Sequence, residues 1–546
     1  MSRIKSLILG TVVAFTLSPV YAQSNRFEVI KNLELVDQIY EHLDKYYVEE
    51  PKIGSMSVAG IHSMLEDLDP YTVFYPESDI EDFRLMTTGQ YGGIGAMIRK
   101  MGDYVYIAEP YENSPAAKSG LRPGDKILTI NGINMFKKNT EDVSTNLKGP
   151  KGTAATVEVE RSNGTKATIS ITRDEIKLPD IPYAGMLTSE IGYIKLSSFT
   201  HTASSEVRKH FLELKQKGMK RFIFDLRGNG GGLLMESVNI VNLFVPKGQL
   251  VVQTKGRIED ENRTYLTQNE PLDLNIPIVV LIDGSSASAS EIVAGGLQDL
   301  DRAVVVGNTS FGKGLVQRTF DLKYGTKMKL TIAKYYTPSG RCVQRLEYFD
   351  KEDGEDVASV PDSLLHTFQT KGGREVIDGR GIVPDLDIEQ EDLSRLTATL
   401  VGNNIIFNYA VEYAKNHATI ADAKSFKFTE KEYEDFIAYV LKQEFTYSTA
   451  SEEMIKRSKA TIEKEGLSEE AMVEYEALLK KVSPSKERDL KKFEDEIRMF
   501  LENEIVMHYY YQSGRVLNAF NHDKTTAKAI ELLDENLDAY QSVLKK

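Results

Sequence analysis

Between residues 180 and 392, short apolar strands alternate with helical segments, and this alternation constrains the fold more than any other feature of the chain. The strands are "IGYIKLSSF", "RFIFDLRG", "PIVVLIDG" and "RAVVVGN", and segments such as "SSEVRKHFLELKQKG" and "SASEIVAGGLQD" lie between them. Parallel strands need long crossovers, and helices are the usual crossover. The pattern therefore predicts an α/β core with a largely parallel sheet, over residues 176–395.

The flanking texture differs. Residues 88–175 read as one small β-rich domain: "YGGIGAMIRKMGDYVYIAEP" alternates like two strands joined at Gly-Asp, and "TAATVEVERSNGTKATISITR" reads as a hairpin across Asn163-Gly164. Residues 23–87 form an N-terminal helical region. Val29, Leu33, Val36, Tyr40, Leu43 and Tyr47 recur at helical spacing there and predict one buried stripe. Residues 396–546 are rich in Lys and Glu with helical periodicity, as at Leu490, Phe493, Ile497, Phe500 and Leu501. Pro484 separates two of these helices, and the region reads as a packed helical extension.

The first residues bear on the compartment. Arg3 and Lys5 precede the apolar run Leu7–Leu17, and Val20 and Ala22 supply small residues at a cleavage site. Residues 1–22 are therefore expected to be a secretory signal peptide, which places the mature protein in the periplasm or beyond and leaves membrane association open. Cys342 is the only cysteine, so an internal disulfide and a cysteine-rich zinc site are both excluded, and no HExxH motif occurs. The net charge of −14 argues against a nucleic-acid partner.

Two stretches carry candidate chemistry. "IDGSSASASEIVAGG" holds four serines: Ser285, Ser286, Ser288 and Ser290. Ser288 with Glu291 makes an S-x-x-E helix start, a capping pattern that also puts a serine beside free backbone N–H groups able to stabilise an oxyanion. The G-x-S-x-G elbow of esterases is not met. In "VVVGNTSFGKGLVQ", Gly307, Gly312 and Lys313 nearly fit a phosphate-binding loop, but Gly314 stands where Ser or Thr is needed and a strand-like segment follows. Lys313 has another use, because an unprotonated lysine can activate a serine. With an ordinary pKa of about 10.4, a lysine base near neutral pH needs about 4 kcal/mol of disfavoured charge, which burial supplies. If residues 313–317 are extended, Gln317 shares a face with Lys313 and can orient it. The glycine turn of "FDLRGNGGGL" offers further N–H donors at Gly231 or Gly232.

Taken together, "DLRGNGGGL", "GSSASASEIVAGGLQD", "FGKGLVQ", "YYTPSGRCVQ" and "GRGIVPD" resemble the carboxy-terminal processing peptidases, tail-specific serine–lysine proteases. The resemblance implies a multidomain α/β + β chain with a crotonase-like core. It implies Ser288 as nucleophile, Lys313 as base 25 residues later, and Gln317 as the residue that orients it. The implied oxyanion donors are the N–H groups of Ala289 and Gly232, the latter favoured over Gly231. The β-rich domain resembles a PDZ domain, with Gly93, Ile94, Gly95 and Ala96 as its carboxylate-binding loop. Implied partners are exported proteins with apolar C-termini. An adaptor protein and a homo-oligomer stay open, and no metal or cofactor is required. The alternative is a catalytically silent ligand-binding or PDZ scaffold protein of the same fold. Cys342 reads as packing.

Overall fold

A computed structural model describes residues 20–348, 357–389, 392–533 and 537–545. Residues 1–19, most of the expected signal peptide, lie outside them. The chain divides into two compact units, residues 1–77 with 319–330, and residues 78–318 with 331–546.

In the first unit, α1 (Val20–Tyr46) and α2 (Ile53–Glu66) are helices, and β1 (Val73–Tyr75) pairs antiparallel with Lys327–Lys329. The helical spacing of α1 is as expected, but its apolar stripe is not buried: Val29, Leu33 and Val36 are 58%, 65% and 45% exposed. Helical periodicity fixes which side chains share a face and is silent about whether anything covers it.

The second unit opens with α3 (Ile80–Thr88), and β2 (Gln90–Gly93) then leads into a six-stranded antiparallel sheet. Its elements are β3 (Ala96–Met101), β4 (Tyr104–Pro110), α4 (Pro115–Lys118), β5 (Lys126–Ile130), β6 (Ile133–Asn134), α5 (Thr140–Leu147), β7 (Ala154–Glu160) and β8 (Lys166–Thr172). The order β3-β4-β5-β7-β8 leaves β3 at an edge. β9 (Asp174–Lys177) returns to pair with β2. Ile94, Val105, Ile107, Ile127, Val143 and Val157 form the core of this domain. The α5 helix that flanks it is capped by Asn139, whose Oδ1 accepts from Asp142 N at 2.7 Å.

The α/β core follows. β10 (Tyr183–Met186) and β11 (Ile191–Lys195) are antiparallel; α6 (Ala203–Gln216), β12 (Arg221–Asp225) and α7 (Leu234–Asn242) come next. β13 (Leu250–Lys255) and β14 (Arg263–Leu266) form a hairpin. Then come β15 (Ile278–Ile282), α8 (Ala289–Asp299), β16 (Val304–Gly307), β17 (Leu315–Asp321) and β18 (Lys327–Tyr336). After a short hairpin of β19 (Thr367–Gln369) and β20 (Glu375–Ile377), β21 (Leu386–Asp387) completes a sheet of order β10-β11-β12-β15-β16-β21. All its pairings except β10 with β11 are parallel. β13 pairs with residues 334–336 of β18 in a second sheet.

Each central strand of the large sheet is apolar on both faces, as parallel strands between two layers must be. Phe222, Phe224, Ile278, Val280, Ile282 and Val305 point into a core shared with α6, α7 and α8. Ile223, Val279, Leu281, Val304 and Val306 point the other way. Full burial of such side chains stabilises by about 1.5–3 kcal/mol each.

The C-terminal helices are α9 (Arg395–Gly402), α10 (Ile405–Asn416), α11 (Glu430–Leu441), α12 (Ala450–Lys464), α13 (Ser468–Val482), α14 (Lys486–Lys492), α15 (Glu494–Ala519), α16 (Lys524–Leu532) and α17 (Asp538–Leu544). α9–α11, α14 and α15 share a core around Leu400, Tyr433, Phe436, Leu490, Ile497 and Leu501. The last two helices go elsewhere. Ala529, Leu532, Leu533, Tyr540 and Val543 cover the second face of the parallel sheet, and Ile278 N donates to Tyr540 Oη at 3.1 Å. Among the described residues, no helix is long and apolar enough to cross a membrane.

Candidate active site

Strand β15 ends at Ile282, a tight turn follows, and α8 begins at Ala289, so Ser288 is the N-cap residue. Its backbone has φ 56° and ψ −111°, a conformation that costs a side-chain-bearing residue about 1–3 kcal/mol and persists only where neighbours enforce it. The neighbours are visible. Ser288 N donates to Glu291 Oε2 at 2.7 Å. Its carbonyl accepts from Ile292 N at 3.0 Å and from Tyr335 Oη at 3.2 Å. The other serines have structural tasks. Ser286 Oγ donates to Leu226 O at 2.9 Å, Ser290 Oγ donates to Asn229 O at 2.8 Å, and Ser285 is exposed with its N–H on Asp283.

Glu291 does more than cap. Its carboxylate is wholly buried and reaches the loop after β16. Oε1 accepts from Ser310 Oγ at 2.5 Å and Gly312 N at 2.8 Å. Oε2 accepts from Lys313 N at 2.9 Å as well as from Ser288 N. One carboxylate oxygen thus holds the main chain of both Ser288 and Lys313. Burial pushes the Glu291 carboxyl above its usual range, and its four donors pull it back only in part. The same bonds dispose of the phosphate-loop reading, since the N–H groups of Gly312 and Lys313 are committed to Glu291 and a strand follows. Gly314 N donates to Gln344 Oε1 at 2.7 Å, and Gly314 O accepts from Tyr335 N at 2.9 Å. Lys313 is half-buried. Gln317, also half-buried, donates through Nε2 to Thr331 Oγ1 at 3.2 Å.

The glycine turn after β12 lies against the serine turn. A Cβ on Gly231 would stand 2.9 Å from Ser288 Cβ and 3.0 Å from Ala289 N. Asn229, fully buried, joins the two turns: its carbonyl accepts from Ala287 N at 3.0 Å and from Ser290 Oγ. Its Oδ1 takes the N–H of Gly231 at 2.9 Å. Gly232 differs. It is exposed, and it forms a parallel bridge with Phe199 in which Gly231 O and Leu233 N make the bonds. That register turns the N–H of Gly232 away from Phe199. Ala289 is the first residue of α8, where N–H groups have no intrahelical acceptor.

Below the turn, Asp225 is fully buried and accepts from Tyr193 Oη at 2.5 Å and Arg227 Nη2 at 2.7 Å. Arg227 continues to Asp523 in the C-terminal region through two bonds of 2.9 and 2.7 Å. Burial alone would raise both carboxyls. Arg227, with Lys195 beside Asp225, more than offsets that and holds them below the usual range.

A cavity of about 530 Å³ opens beside Gln317 and Leu233, lined by apolar Tyr265, Val316 and Ile332 with Ala333, and by charged Glu236, Glu261 and Arg263. In the β-rich domain, Gly93 closes β2, Ile94 is a core residue, Gly95 turns with φ 75°, and Ala96 starts the edge strand β3. The carbonyls of Ile94 and Gly95 are taken by Ala116 N and Tyr111 N at 2.8 and 2.9 Å. Cys342 is half-buried, and burial pushes its thiol up.

Residues 190–348 match peptidase family S41, residues 106–161 a PDZ domain, and residues 396–533 the probable PDZ-protease C-terminal helical domain. The carboxy-terminal-processing protease of Bartonella bacilliformis is 34% identical over 326 residues, which cover 59% of this chain and 74% of that one. The chain belongs to peptidase family S41. A probable CtpA-like serine protease of Staphylococcus aureus is 31% identical over 350 residues, 62% of this chain and 69% of the relative. The solved photosystem II D1 C-terminal processing protease is 25% identical, with 68% of this chain and 90% of that one covered and a TM-score of 0.37. This S41 member is a carboxy-terminal processing serine protease with a PDZ domain. Glu291 as a link between two loops, Asn229, Tyr335 and the Arg227–Asp523 tie are not readable from local sequence; only the S-x-x-E spacing hinted at the first.

Proposed function

We propose that this S41 protease works by a Ser288–Lys313 dyad on exported proteins with apolar C-termini. The observation that carries the reading is the shared bond of Glu291 Oε2 to the main-chain N–H of Ser288 and of Lys313. The unprotonated amine of Lys313 takes the proton of Ser288 Oγ as that oxygen bonds to the scissile carbonyl carbon. The developing oxyanion is met by the N–H groups of Ala289 and Gly232, an arrangement worth about 3–4 kcal/mol per donor where it has been removed. The C–N bond breaks, and the proton passes from Lys313 to the leaving amine. Water then attacks the acyl-enzyme, giving up its proton through Lys313. This releases the new carboxylate and restores the Ser288 hydroxyl. Gln317 orients Lys313.

The cavity beside Gln317 receives an apolar substrate side chain. The loop Gly93-Ile94-Gly95-Ala96 holds the substrate's terminal carboxylate while its tail adds to the edge of β3, and the PDZ domain gates cleavage. Residues 1–22 direct the chain to the periplasm. The test is cleavage of an unfolded protein with an apolar C-terminus by wild type, Ser288→Ala and Lys313→Ala. Both variants are expected to fall at least a thousandfold with unchanged melting profiles. Equal activity in all three would refute the dyad, and loss in Ser286→Ala or Ser290→Ala but not Ser288→Ala would move the nucleophile.

A further inference from the structure

Tyr335 bonds to the main chain of Ser288 and to that of the residue after Lys313. It lies near the end of β18 and is buried. Its main chain is held on two sides: it is the register partner of Thr254 in β13, and its N–H donates to Gly314 O at 2.9 Å. Gly314 N in turn donates to Gln344 Oε1 at 2.7 Å. The strand that follows Lys313 thus helps to set where the Tyr335 ring stands. From there the hydroxyl donates to Ser288 O at 3.2 Å. Burial first, and the charge of Glu291 after it, pushes the phenol well above its usual range, so the hydroxyl keeps its proton and remains a donor.

That hydroxyl governs more than a carbonyl. The peptide unit between Ser288 and Ala289 is planar, so its C=O and N–H point in opposite directions and turn together. The soft torsion that turns the unit is ψ of Ser288, which stands at −111° beside a φ of 56°. Such a backbone is unfavourable for a residue with a side chain and relaxes unless its surroundings hold it. Ile292 N holds the carbonyl from within α8, and Tyr335 Oη holds it from another element. One bond leaves the carbonyl free to swing about its donor; two bonds from different elements do not.

The other end of the same unit faces the glycine turn. A Cβ on Gly231 would stand 3.0 Å from Ala289 N and 2.9 Å from Ser288 Cβ, so the missing side chain leaves open a space that both border. Ala289 N is at the first position of α8 and has no intrahelical acceptor. A carbonyl carbon bonded to Ser288 Oγ needs its oxyanion donor in that space.

We propose that Tyr335 is a positioning residue for the oxyanion hole: its hydroxyl pins the Ser288 carbonyl and, through the rigid 288–289 peptide, aims the Ala289 N–H into the space beside Gly231. It touches no reacting atom. The proposal rests on the reading of Ser288 as nucleophile and Ala289 as oxyanion donor. It differs from the task of Glu291, which holds the N–H groups of Ser288 and Lys313 together. Loss of the Tyr335 hydroxyl leaves the base where it is and frees only the donor.

Tyr335→Phe removes one oxygen and keeps the ring and the main-chain bond to Gly314 O. In the full chain, with a fluorogenic peptide that ends in apolar residues, kcat is expected to fall about tenfold or more while KM stays within about twofold, because the donor matters only as the oxyanion forms. A peptide aldehyde of the same sequence is the second probe. Ser288 Oγ adds to its carbonyl carbon, the hydroxyl proton passes to Lys313, and the aldehyde oxygen becomes the anion that the hole receives. Its inhibition constant is expected to rise by the factor by which kcat falls, whereas the matching peptide alcohol, which forms no anion, binds both enzymes alike. The pH midpoint of kcat/KM is expected to stay at its wild-type value, since Lys313 keeps its surroundings. Unchanged kcat overturns the proposal. So does an equal loss of aldehyde and alcohol affinity, and so does a shifted pH midpoint, which would make Tyr335 a partner of the base instead. Tyr335→4-aminophenylalanine returns a donor to the same place and is expected to recover most of the rate; no recovery counts against the proposal. Should Tyr335→Phe fail to fold, Tyr335→4-fluorophenylalanine fills the place of the hydroxyl without donating and is read in the same way. Ser288→Ala separates the two readings. Unchanged aldehyde affinity there strikes the nucleophile assignment and the proposal with it. Affinity lost in Ser288→Ala but kept in Tyr335→Phe overturns the role of Tyr335 alone.

Discussion

Replacing Glu291 by Gln separates a residue that positions the proposed Ser288–Lys313 dyad from one that merely fills space. The carboxylate accepts four hydrogen bonds, two on each oxygen. The amide nitrogen of Gln cannot accept, so one pair of donors is orphaned: either Ser288 N with Lys313 N, or Ser310 Oγ with Gly312 N. Bonds to a charged group contribute about 1.5–3 kcal/mol each, so two lost bonds cost about 3–6 kcal/mol. That is a large share of a stability of about 5–15 kcal/mol, yet within it. The catalytic cost comes through geometry, since a displacement of about 1 Å in a reacting group lowers the rate about a hundredfold. Glu291→Gln is therefore expected to lower kcat/KM on an unfolded protein substrate by about a hundredfold or more, mostly through kcat, while the melting temperature falls by several degrees. Glu291→Asp keeps the charge but shortens the reach and is expected to do little better. A Glu291→Gln enzyme that melts lower but retains kcat/KM within threefold of wild type would refute the positioning role.

Two further outcomes follow from the same geometry. Asp523→Asn opens the Asp225–Arg227–Asp523 tie at its part-buried end, where Arg227 keeps Asp225 as a partner, and the weakened charged hydrogen bonds are expected to cost about 1.5–3 kcal/mol. Because both carboxyls are held below their usual range, the stability they confer is present above about pH 4, where such groups ionise when unfolded, and is lost as pH falls through their folded values. Thermal melts from pH 7 downward should show a steeper acid decline in wild type than in Asp523→Asn, and parallel curves would contradict the tie. Ala333→Phe projects into the 530 Å³ cavity; it should cut cleavage before large apolar residues at least tenfold and spare cleavage before alanine, as read from product ends by mass spectrometry, and a uniform loss would disconnect the cavity from side-chain selection.

Much of the core was legible because its signals are local. Strands such as "PIVVLIDG" declare themselves by uninterrupted apolar character, and the structure shows why: Ile278 and Val280 face one layer, Val279 and Leu281 the other. The helix start at Ala289 followed from the capping spacing of Ser288 and Glu291. What local pattern could not convey is the second task of Glu291, whose other donors lie 19 to 22 positions away at Ser310, Gly312 and Lys313. The reading of Gln317 as a partner for lysine rested on strand alternation and on the family resemblance, and its amide nitrogen lies on Thr331. Amphipathic spacing proved equally silent about destination. It predicted a buried stripe on α1 that is exposed, and it marked the C-terminal helices as an extension although two of them are a layer of the core.

That last layer bears on how the enzyme comes into being. The strands that carry the serine and glycine turns are made by about residue 307, but their outer face waits for Ala529, Leu532, Tyr540 and Val543. Chains are synthesised from the N-terminus, so Ser288 and the glycine turn have emerged well before the sheet can be sealed. A copy that stops short of α16 and α17 lacks this layer beneath the serine and glycine turns.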